Sequence, residues 1–318
     1  MKVINLHQPF NQNEIPGGDI VLAMGFFDGV HRGHQAVIAE AKQRAKALKL
    51  PLAVLTYDHH PSIVYTTTKN QQTYLSSLPR KLSLLEAQGV DLVYVVSFTS
   101  ALSALGPQQF VDDYLVRFHT KVAVAGFDHT YGPRDISTMD KLAGYAKSRF
   151  EVVIVKSENE NQEKISSTKI RHLLDDGKIA EANELFGYAY QTTGLVVHGE
   201  ARGRTLGFPT ANIDWPIEER MPRIGVYAVQ LKVSNQWYNG MASIGHNVTF
   251  GDARPKTLEI NLFDFNQAIY GENVEVRWVS WLRDEVKYTT VENLIKQLQQ
   301  DEIDSRKILE RYVEKIKN

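Results

Sequence analysis

Ile20-Val21-Leu22-Ala23-Met24-Gly25-Phe26-Phe27-Asp28-Gly29-Val30-His31-Arg32-Gly33-His34 is the stretch on which the fold turns. Its first five residues are apolar without a break, which predicts a buried strand. Beyond the last histidine, Val37, Ala41, Ala45 and Leu48 recur on one helical face. The glycines between therefore sit on a strand-to-helix turn. Gly25, Gly29 and Gly33 allow tight backbone angles and close approach of a ligand. A helix starting here presents unpaired N–H groups and the positive end of its dipole, which suit a phosphate. His31 and His34 are three apart, so both can face that end. The dipole disfavours a protonated histidine there unless an anion is bound, so the pair points to nucleotide phosphates. Two other readings stay open: a glycine-rich turn with surface histidines, and a metal site. The metal reading lacks an H-E-x-x-H pattern and a third ligand.

The chain has 318 residues, a length for about two domains. Hydrophobic residues make up 43%, enough for packed cores. Lys and Arg number 36 against 37 Asp and Glu, so a net charge of −1 offers nucleic acid no global attraction. Cysteine is absent, which excludes disulfides, thiolate zinc sites and cysteine nucleophiles. Residues Met1 to Pro9 are too polar for a signal peptide, and no apolar run is long enough for a membrane span. These features predict a soluble, cytoplasmic protein with no nucleic-acid or membrane partner, and no obligate protein partner is evident.

Four further strands follow the first: Leu52 to Thr56, Leu92 to Val96, Val122 to Gly126 and Val152 to Val155. Helical stretches separate them, one opened by Leu78-Pro79-Arg80-Lys81 and one by Pro107. Strands alternating with helices predict a doubly wound, mostly parallel α/β sheet. Ligands of such sheets bind beyond the carboxyl ends of strands. Two loops lie there, Tyr57-Asp58-His59-His60-Pro61 and Phe127-Asp128-His129-Thr130-Tyr131-Gly132. Either could be an ordinary polar loop, with Asp128 a turn former. Ile165-Ser166-Ser167-Thr168-Lys169-Ile170-Arg171 reads as a helix start with hydroxyl caps. Its basic residues oppose the dipole, a conflict that a bound polyphosphate resolves. Ile179 to Phe186 forms another helix, and the domain junction falls after Gly187, giving domains 1–187 and 188–318.

From there short alternating runs replace strand–helix units, as in Gly225 to Leu231, Tyr238 to Ile244, Leu258 to Phe263 and Val274 to Trp278. They predict an antiparallel β-barrel. C-terminal helices follow, with a capping-box pattern at Thr289 and Glu292 and a second apolar stripe from Ile308 to Ile316. Between strands lies His198-Gly199-Glu200-Ala201-Arg202-Gly203-Arg204-Thr205-Leu206-Gly207-Phe208-Pro209-Thr210-Ala211-Asn212. It suits either a basic loop or a glycine-rich flap. Thr210 and Asn212 are two apart on an extended segment, so their oxygens share a face. Neutral oxygens together with phosphate oxygens suit Mg²⁺. Glu259, on a strand face with Asn261 and Phe263, reads by itself as a solvated surface glutamate.

The run G-x-F-D-G-V-H-x-G-H resembles the nucleotidylyltransferase signature in the form found in bacterial bifunctional riboflavin kinase/FAD synthetases. The runs I-S-S-T-x-I-R and G-R-G-x-x-L-G-F-P-T-A-N and the segment Leu258 to Phe265 resemble that family in the same order. The resemblance implies a Rossmann-like nucleotidyltransferase domain followed by a barrel kinase domain with C-terminal helices. It implies that the second domain makes FMN from riboflavin and ATP, and that the first makes FAD and pyrophosphate from FMN and ATP. It further implies that His31, His34 and Arg171 stabilise charge during adenylyl transfer. Gly25, Phe26, Phe27, Asp28, Gly33, Asp128, Ser166, Ser167 and Thr168 would bind ATP there, and His60 and Pro61 the flavin. In the kinase, Gly199, Arg202, Gly203, Gly207, Thr210 and Asn212 would hold ATP and flavin, Thr210 and Asn212 with Mg²⁺, and Glu259 would be the base. The chain departs from the family at His59 (usually Pro), His129 (usually Phe) and Val248 (usually Pro). Those departures leave open a member active at one site only, or a flavin- or nucleotide-binding regulator without turnover.

Overall fold

The computed structural model describes residues 1–65, 73–156, 159–160, 163–200, 202–246 and 256–317. Ala201 and Asn247 to Phe250, with Val248, lie outside the described residues. Two compact units are present: Met1–Gln72 with Ser77–Ser166, and Thr73–Ser76 with Ser167–Asn318.

The first unit runs β1 (Lys2–Leu6), β2 (Ile20–Met24), α1 (Arg32–Leu48), β3 (Leu52–Tyr57), α2 (Ser62–Tyr65), α3 (Leu78–Ala87) and β4 (Leu92–Val96). It continues with α4 (Ser100–Ser103), α5 (Pro107–Phe110), β5 (Thr120–Gly126), α6 (Met139–Ala146), β6 (Glu151–Val155) and the small hairpin β7 (Asn159–Glu160) and β8 (Glu163–Lys164). After α5 the chain widens into π-helical turns over Val111–Val116, which keep Tyr114 and Leu115 buried. Strand order is β1-β4-β3-β2-β5-β6, and every pairing among these six is parallel.

The unbroken apolar run of β2 has a simple cause. Val21 and Ala23 pack with Val37, Ile38 and Leu85 in one layer. Leu22 and Met24 pack with Tyr114, Phe118 and Leu142 in the other. A parallel strand covered on both faces needs apolar residues at every position. The sheet has six strands where the sequence predicts five. The extra one, β1, is an edge strand with only Leu6 buried, so it lacks the apolar run that marks the others. The chain leaves β2 toward β3 and β4 on one side and returns with β5 on the other. The carboxyl ends of β2 and β5 thus form the topological switch point, the usual ligand crevice of such sheets.

The second unit contains α7 (Ser167–Asp175), α8 (Ile179–Phe186), β9 (Gln191–Val197), α9 (Arg202–Thr205), β10 (Thr210–Asp214), β11 (Gly225–Val233), β12 (Gln236–Gly245), β13 (Thr257–Leu262), β14 (Asn273–Arg283) and α10 (Val291–Lys317). The strands close an antiparallel barrel in the order β10-β13-β12-β11-β14-β9. Trp278 is fully buried, meets Tyr227 edge-on at 5.2 Å, and donates its indole N–H to the Thr192 hydroxyl oxygen at 3.0 Å.

The division between the two compact units falls at Ser166/Ser167. The Asn183 side chain on α8 donates to the Trp278 carbonyl at 3.0 Å and accepts from the Tyr190 N–H at 2.7 Å. Phe186 stacks on Tyr190, and these contacts tie α8 to the barrel. The two apolar stripes of the tail lie on one helix, α10, not on separate helices. Its first turn is capped by the Thr290 hydroxyl, which accepts from the Asn293 N–H at 3.3 Å, and not by Thr289. The helix seats Leu309, Leu298 and Tyr312 against Ala228, Met241 and Phe263.

Candidate functional site

In the first unit the turn after β2 is built from residues in unusual conformations. Phe27 and Val30 have φ of +54° and +35°, and Gly29 between them has +74°. Positive φ in a β-branched residue such as Val30 is a strained state that surrounding packing must hold. Both Phe27 and Val30 are buried. Asp28 and His31 are buried too. His31 is the N-cap of α1, and its Nδ1 accepts from the His34 N–H at 3.4 Å. The two imidazoles stack at 3.6 Å, and Phe27 meets His34 edge-on at 5.3 Å. Gly33 lets His31 lie close: a Cβ there would come within 3.3 Å of the ring. Gly25 leaves room for Phe27, whose ring would lie 3.0 Å from an added Cβ.

Burial holds His34 well below the usual histidine range, reinforced by the charges of His31 and Lys81. It is therefore a neutral imidazole at neutral pH. Its Nδ1 is buried with no hydrogen-bond partner among the described residues. Such an atom is costly unless a ligand meets it.

The ends of β3 and β5 complete this edge. The Thr56 hydroxyl donates to the Phe26 carbonyl at 2.8 Å, and the Phe26 ring meets His60 edge-on at 5.1 Å. His60 Nδ1 lies 2.8 Å from the Ser62 hydroxyl, at the start of α2 just beyond Pro61. His59 is exposed, and its N–H donates to Asp58, which also accepts from the Phe98 N–H. On the other side, Asp128 turns its carboxylate back to 3.3 Å from the place of a Cβ on Gly126. Gly25, Phe26, Phe27, Asp28, His31, Gly33, His34, His60, Pro61 and Asp128 thus gather at one end of the sheet. Ser166 ends the first unit, while Ser167, Thr168 and Arg171 open the second on α7, where Ile170, Leu173 and Leu174 are buried.

In the second unit a cavity of about 940 Å³ opens beside the barrel. Gly199, Arg202, Gly203, Thr210, Asn212 and Glu259 all line it. β10 and β13 pair so that Asn212 stands opposite Glu259 and Thr210 opposite Asn261. The Thr210 hydroxyl donates to the Glu259 carboxylate at 3.1 Å. Glu259 is thus half-buried and bonded inside a cavity rather than solvated. Asn261 donates to the Pro209 carbonyl at 2.7 Å and holds the flap's end to the sheet. An added Cβ on Gly199 would run into the Asn212 amide, and one on Gly203 into the Phe208 carbonyl. Only glycine lets the chain cross so closely there. Gly207 is not on the cavity wall; at φ +83° it makes the turn into Phe208.

The cavity lining also holds residues that the sequence reading missed. Arg283 makes three charge-assisted bonds to Asp301, at 2.9, 3.2 and 2.6 Å, and Asp301 is 3% exposed. Tyr288, Leu294 and Leu298 stand beside them. An acid spaced with Leu294, Leu298 and Leu309 on an apolar stripe was the available signal, because a buried carboxylate demands a partner. Lys81, read only as part of a helix start, is also buried.

A cavity of this size, part apolar and part oxygen-lined, falls in the range of small-molecule sites. Among the described residues no cluster of three or more His, Cys, Asp or Glu could cage a metal ion. Thr210, Asn212 and Glu259 are oxygen donors of the kind that bind Mg²⁺ in company with phosphate oxygens. Among the described residues no helix is long and apolar enough to cross a membrane.

Comparison with known proteins identifies both halves. The FAD synthetase family model matches residues 15–169, and the riboflavin kinase family model matches residues 186–309. A bifunctional riboflavin kinase/FMN adenylyltransferase from Listeria monocytogenes is 48% identical over 96% of this chain and 98% of its own length. The protein of the same name from Bacillus subtilis is 39% identical over 95% of this chain and 96% of its own length. A crystal structure described as a macrolide-efflux protein from Streptococcus pneumoniae superposes with a TM-score of 0.87 at 38% identity, over 95% of this chain and 99% of that one.

Proposed function

Because the chain belongs to the bifunctional riboflavin kinase/FMN adenylyltransferase family, we propose that it makes FAD from riboflavin in two ATP-dependent steps. The kinase step belongs to the barrel. The observation that carries it is the Thr210–Glu259 bond inside the cavity, with Asn212 as Glu259's cross-strand neighbour. Glu259 takes the proton of the riboflavin 5′-hydroxyl as its oxygen attacks the γ-phosphorus, and ADP leaves. Gly199, Arg202, Gly203 and Gly207 shape the flap over the phosphates. Thr210 and Asn212 would hold Mg²⁺, which supplies charge neutralisation on the phosphates when bound.

The adenylyl step belongs to the turn after β2. An FMN phosphate oxygen bonds to the α-phosphorus of ATP, the bond to the bridging oxygen breaks, and pyrophosphate leaves. No protein nucleophile is needed. His31 and His34 donate to phosphate oxygens where negative charge builds, together with the N–H groups of α1. Gly25, Phe26, Phe27, Asp28, Gly33 and Asp128 shape the nucleotide site, and His60 and Pro61 the flavin side. Ser166, Ser167, Thr168 and Arg171 are assigned to ATP in this step by their motif. Functional limits of 1–187 and 188–318 follow from these assignments. The proposed setting is the cytoplasm, with riboflavin, FMN and ATP as partners. The efflux described for the Streptococcus pneumoniae structure concerns that protein.

One chromatographic assay tests both steps. Riboflavin with Mg·ATP should yield FMN and then FAD. Glu259→Gln should lower FMN formation by a factor of about 10² to 10⁴ and still convert supplied FMN to FAD. His34→Ala should lose FAD formation and keep FMN formation. Equal loss of both activities in either folded variant would break the assignment of the two reactions to separate sites.

A further inference from the structure

Lys81 has no role in the assignments above, yet its surroundings are unusual. It lies in the first turn of α3 and is 2% exposed. Its Nζ donates to the Tyr57 carbonyl at 3.1 Å and to the Thr56 hydroxyl oxygen at 3.4 Å, and stands 4.1 Å from the centre of the Phe26 ring. Among the described residues no carboxylate forms an ion pair with it. A buried ammonium met only by neutral oxygens and a ring face is costly, and an apolar side chain of similar volume would fill the space at less cost. A charge kept at such a cost calls for an anion that arrives from outside.

Its neighbours show where that anion would come. Phe26 is on the turn after β2. The Thr56 hydroxyl that accepts from Lys81 donates in turn to the Phe26 carbonyl. The Phe26 ring then meets His60. Lys81 therefore joins the turn to the end of β3 and, through Phe26, to the loop beyond it. We propose that Lys81 is a positioning residue for adenylyl transfer: its ammonium fixes Phe26 and the end of β3 around the turn, and its charge is answered by the phosphates of the bound nucleotide. This rests on reading that turn as the adenylyl-transfer site.

The electrostatics agree with the geometry. Burial lowers the Lys81 pKa to about 8, against the opposing pull of Asp28 on the turn and Asp58 at the end of β3. Lys81 in turn helps hold His34 in its neutral form, after burial and His31. Asp28, Asp58, His31 and the pair itself are thus the charged and titratable groups that set these shifts, on α1, α3, the turn and the β3 loop. Between about pH 8 and 10.5 the folded chain binds fewer protons at Lys81 than the unfolded chain, so stability rises with pH there. Removing the charge should accordingly not destabilise the fold at neutral pH.

The test uses the full chain with Lys81→Met and Lys81→Arg. FAD formation from FMN and Mg·ATP, the His34 titration by NMR, and the melting temperature are measured. Lys81→Met should lower kcat for FAD formation by about 10²-fold, the lower end of what losing one preorganised electrostatic group costs. Lys81→Arg should restore part of that loss. In Lys81→Met the His34 titration should move up toward the ordinary histidine range, and the melting temperature should equal or exceed the parent's. The parent's kcat/KM should fall above about pH 8, where the free protein loses the Lys81 charge, and Lys81→Arg should lack that fall. A parental rate in Lys81→Met, an unmoved His34, or a lowered melting temperature would overturn the proposal. Failure of Lys81→Met to fold would overturn it as well, since the charge would then be structural. His34→Ala in parallel separates the two claims. If it also forms FAD at the parental rate, the reading of the turn itself fails. If Lys81→Met alone does so, only the role of Lys81 falls.

Discussion

His129 stands where the family usually has phenylalanine, and its surroundings suit the apolar residue better. Burial lowers its pKa from 6.5 to about 4, with Asp128 pulling the other way. Between those values the unfolded chain holds a proton on residue 129 that the folded chain does not. Stability therefore rises with pH across that window, and is lost as pH falls from about 6.5 toward 4. His129→Phe should remove this part of the acid limb. Melting temperatures at pH 5 and pH 7.5 check it: the variant should gain on the parent at pH 5 and match it more closely at pH 7.5. An unchanged difference between the two pH values would mean that other groups set the limb. Glu259 shows what could be read at this scale and what could not. Its position on a strand was legible from alternation, but whether a strand glutamate is solvated or held depends on its cross-strand neighbour. Thr210 is 49 residues away in sequence, and only the register of β10 on β13 places them together.

At the scale of elements, α1 and β2 were legible because their signals are strong and local. An uninterrupted apolar run and a helical stripe meet at a glycine turn, and the structure has that order. β1 was not legible, since an edge strand needs no continuous apolar run. The tail shows a third case. Its two stripes were clear, but Thr289 and Thr290 are adjacent hydroxyls, and local sequence does not say which will reach the free N–H. The Thr290 hydroxyl accepts from Asn293 N–H. Thr290→Ala should therefore cost about 1 kcal/mol, the usual value of a helix cap. Thr289→Ala should cost less. Chemical denaturation of both variants measures this, and a larger loss at Thr289 would reverse the assignment. Since Leu294 and Leu298 line the cavity proposed for the kinase step, the loss should appear in riboflavin binding before it appears in FAD formation from supplied FMN.

For the whole molecule, a composition shift marks the change from strand–helix units to short alternating strands, and two units are what the structure contains. The edge between them is another matter. Helix α8 buries Ile179, Ala182, Leu185 and Phe186, and Asn183 is bonded to the barrel's Trp278 and Tyr190. A fragment of residues 188–318 would lose those four apolar side chains, a loss on the order of 5 kcal/mol at usual burial values. A fragment of residues 167–318 keeps them. The longer fragment should unfold cooperatively and convert riboflavin to FMN with Mg·ATP, without making FAD. The shorter one should melt at a distinctly lower temperature. Equal melting of the two would show that α8 adds nothing to the barrel's stability.

By itself the sequence determined the class of each half, the glycine turn with its two histidines, the flap leading to Thr210 and Asn212, and the order of the two signatures along the chain. These are local: each is set by residues within one or two turns or strands of one another. Tertiary structure alone decided that Glu259 is held by Thr210, that Asp301 pairs with Arg283, that α8 belongs with the barrel, and that Lys81 is buried beneath Phe26. Each of those depends on register or packing between segments far apart in the chain. Periodicity says which face of an element is apolar, but the partner that meets a polar group on that face is chosen only when the elements close on one another.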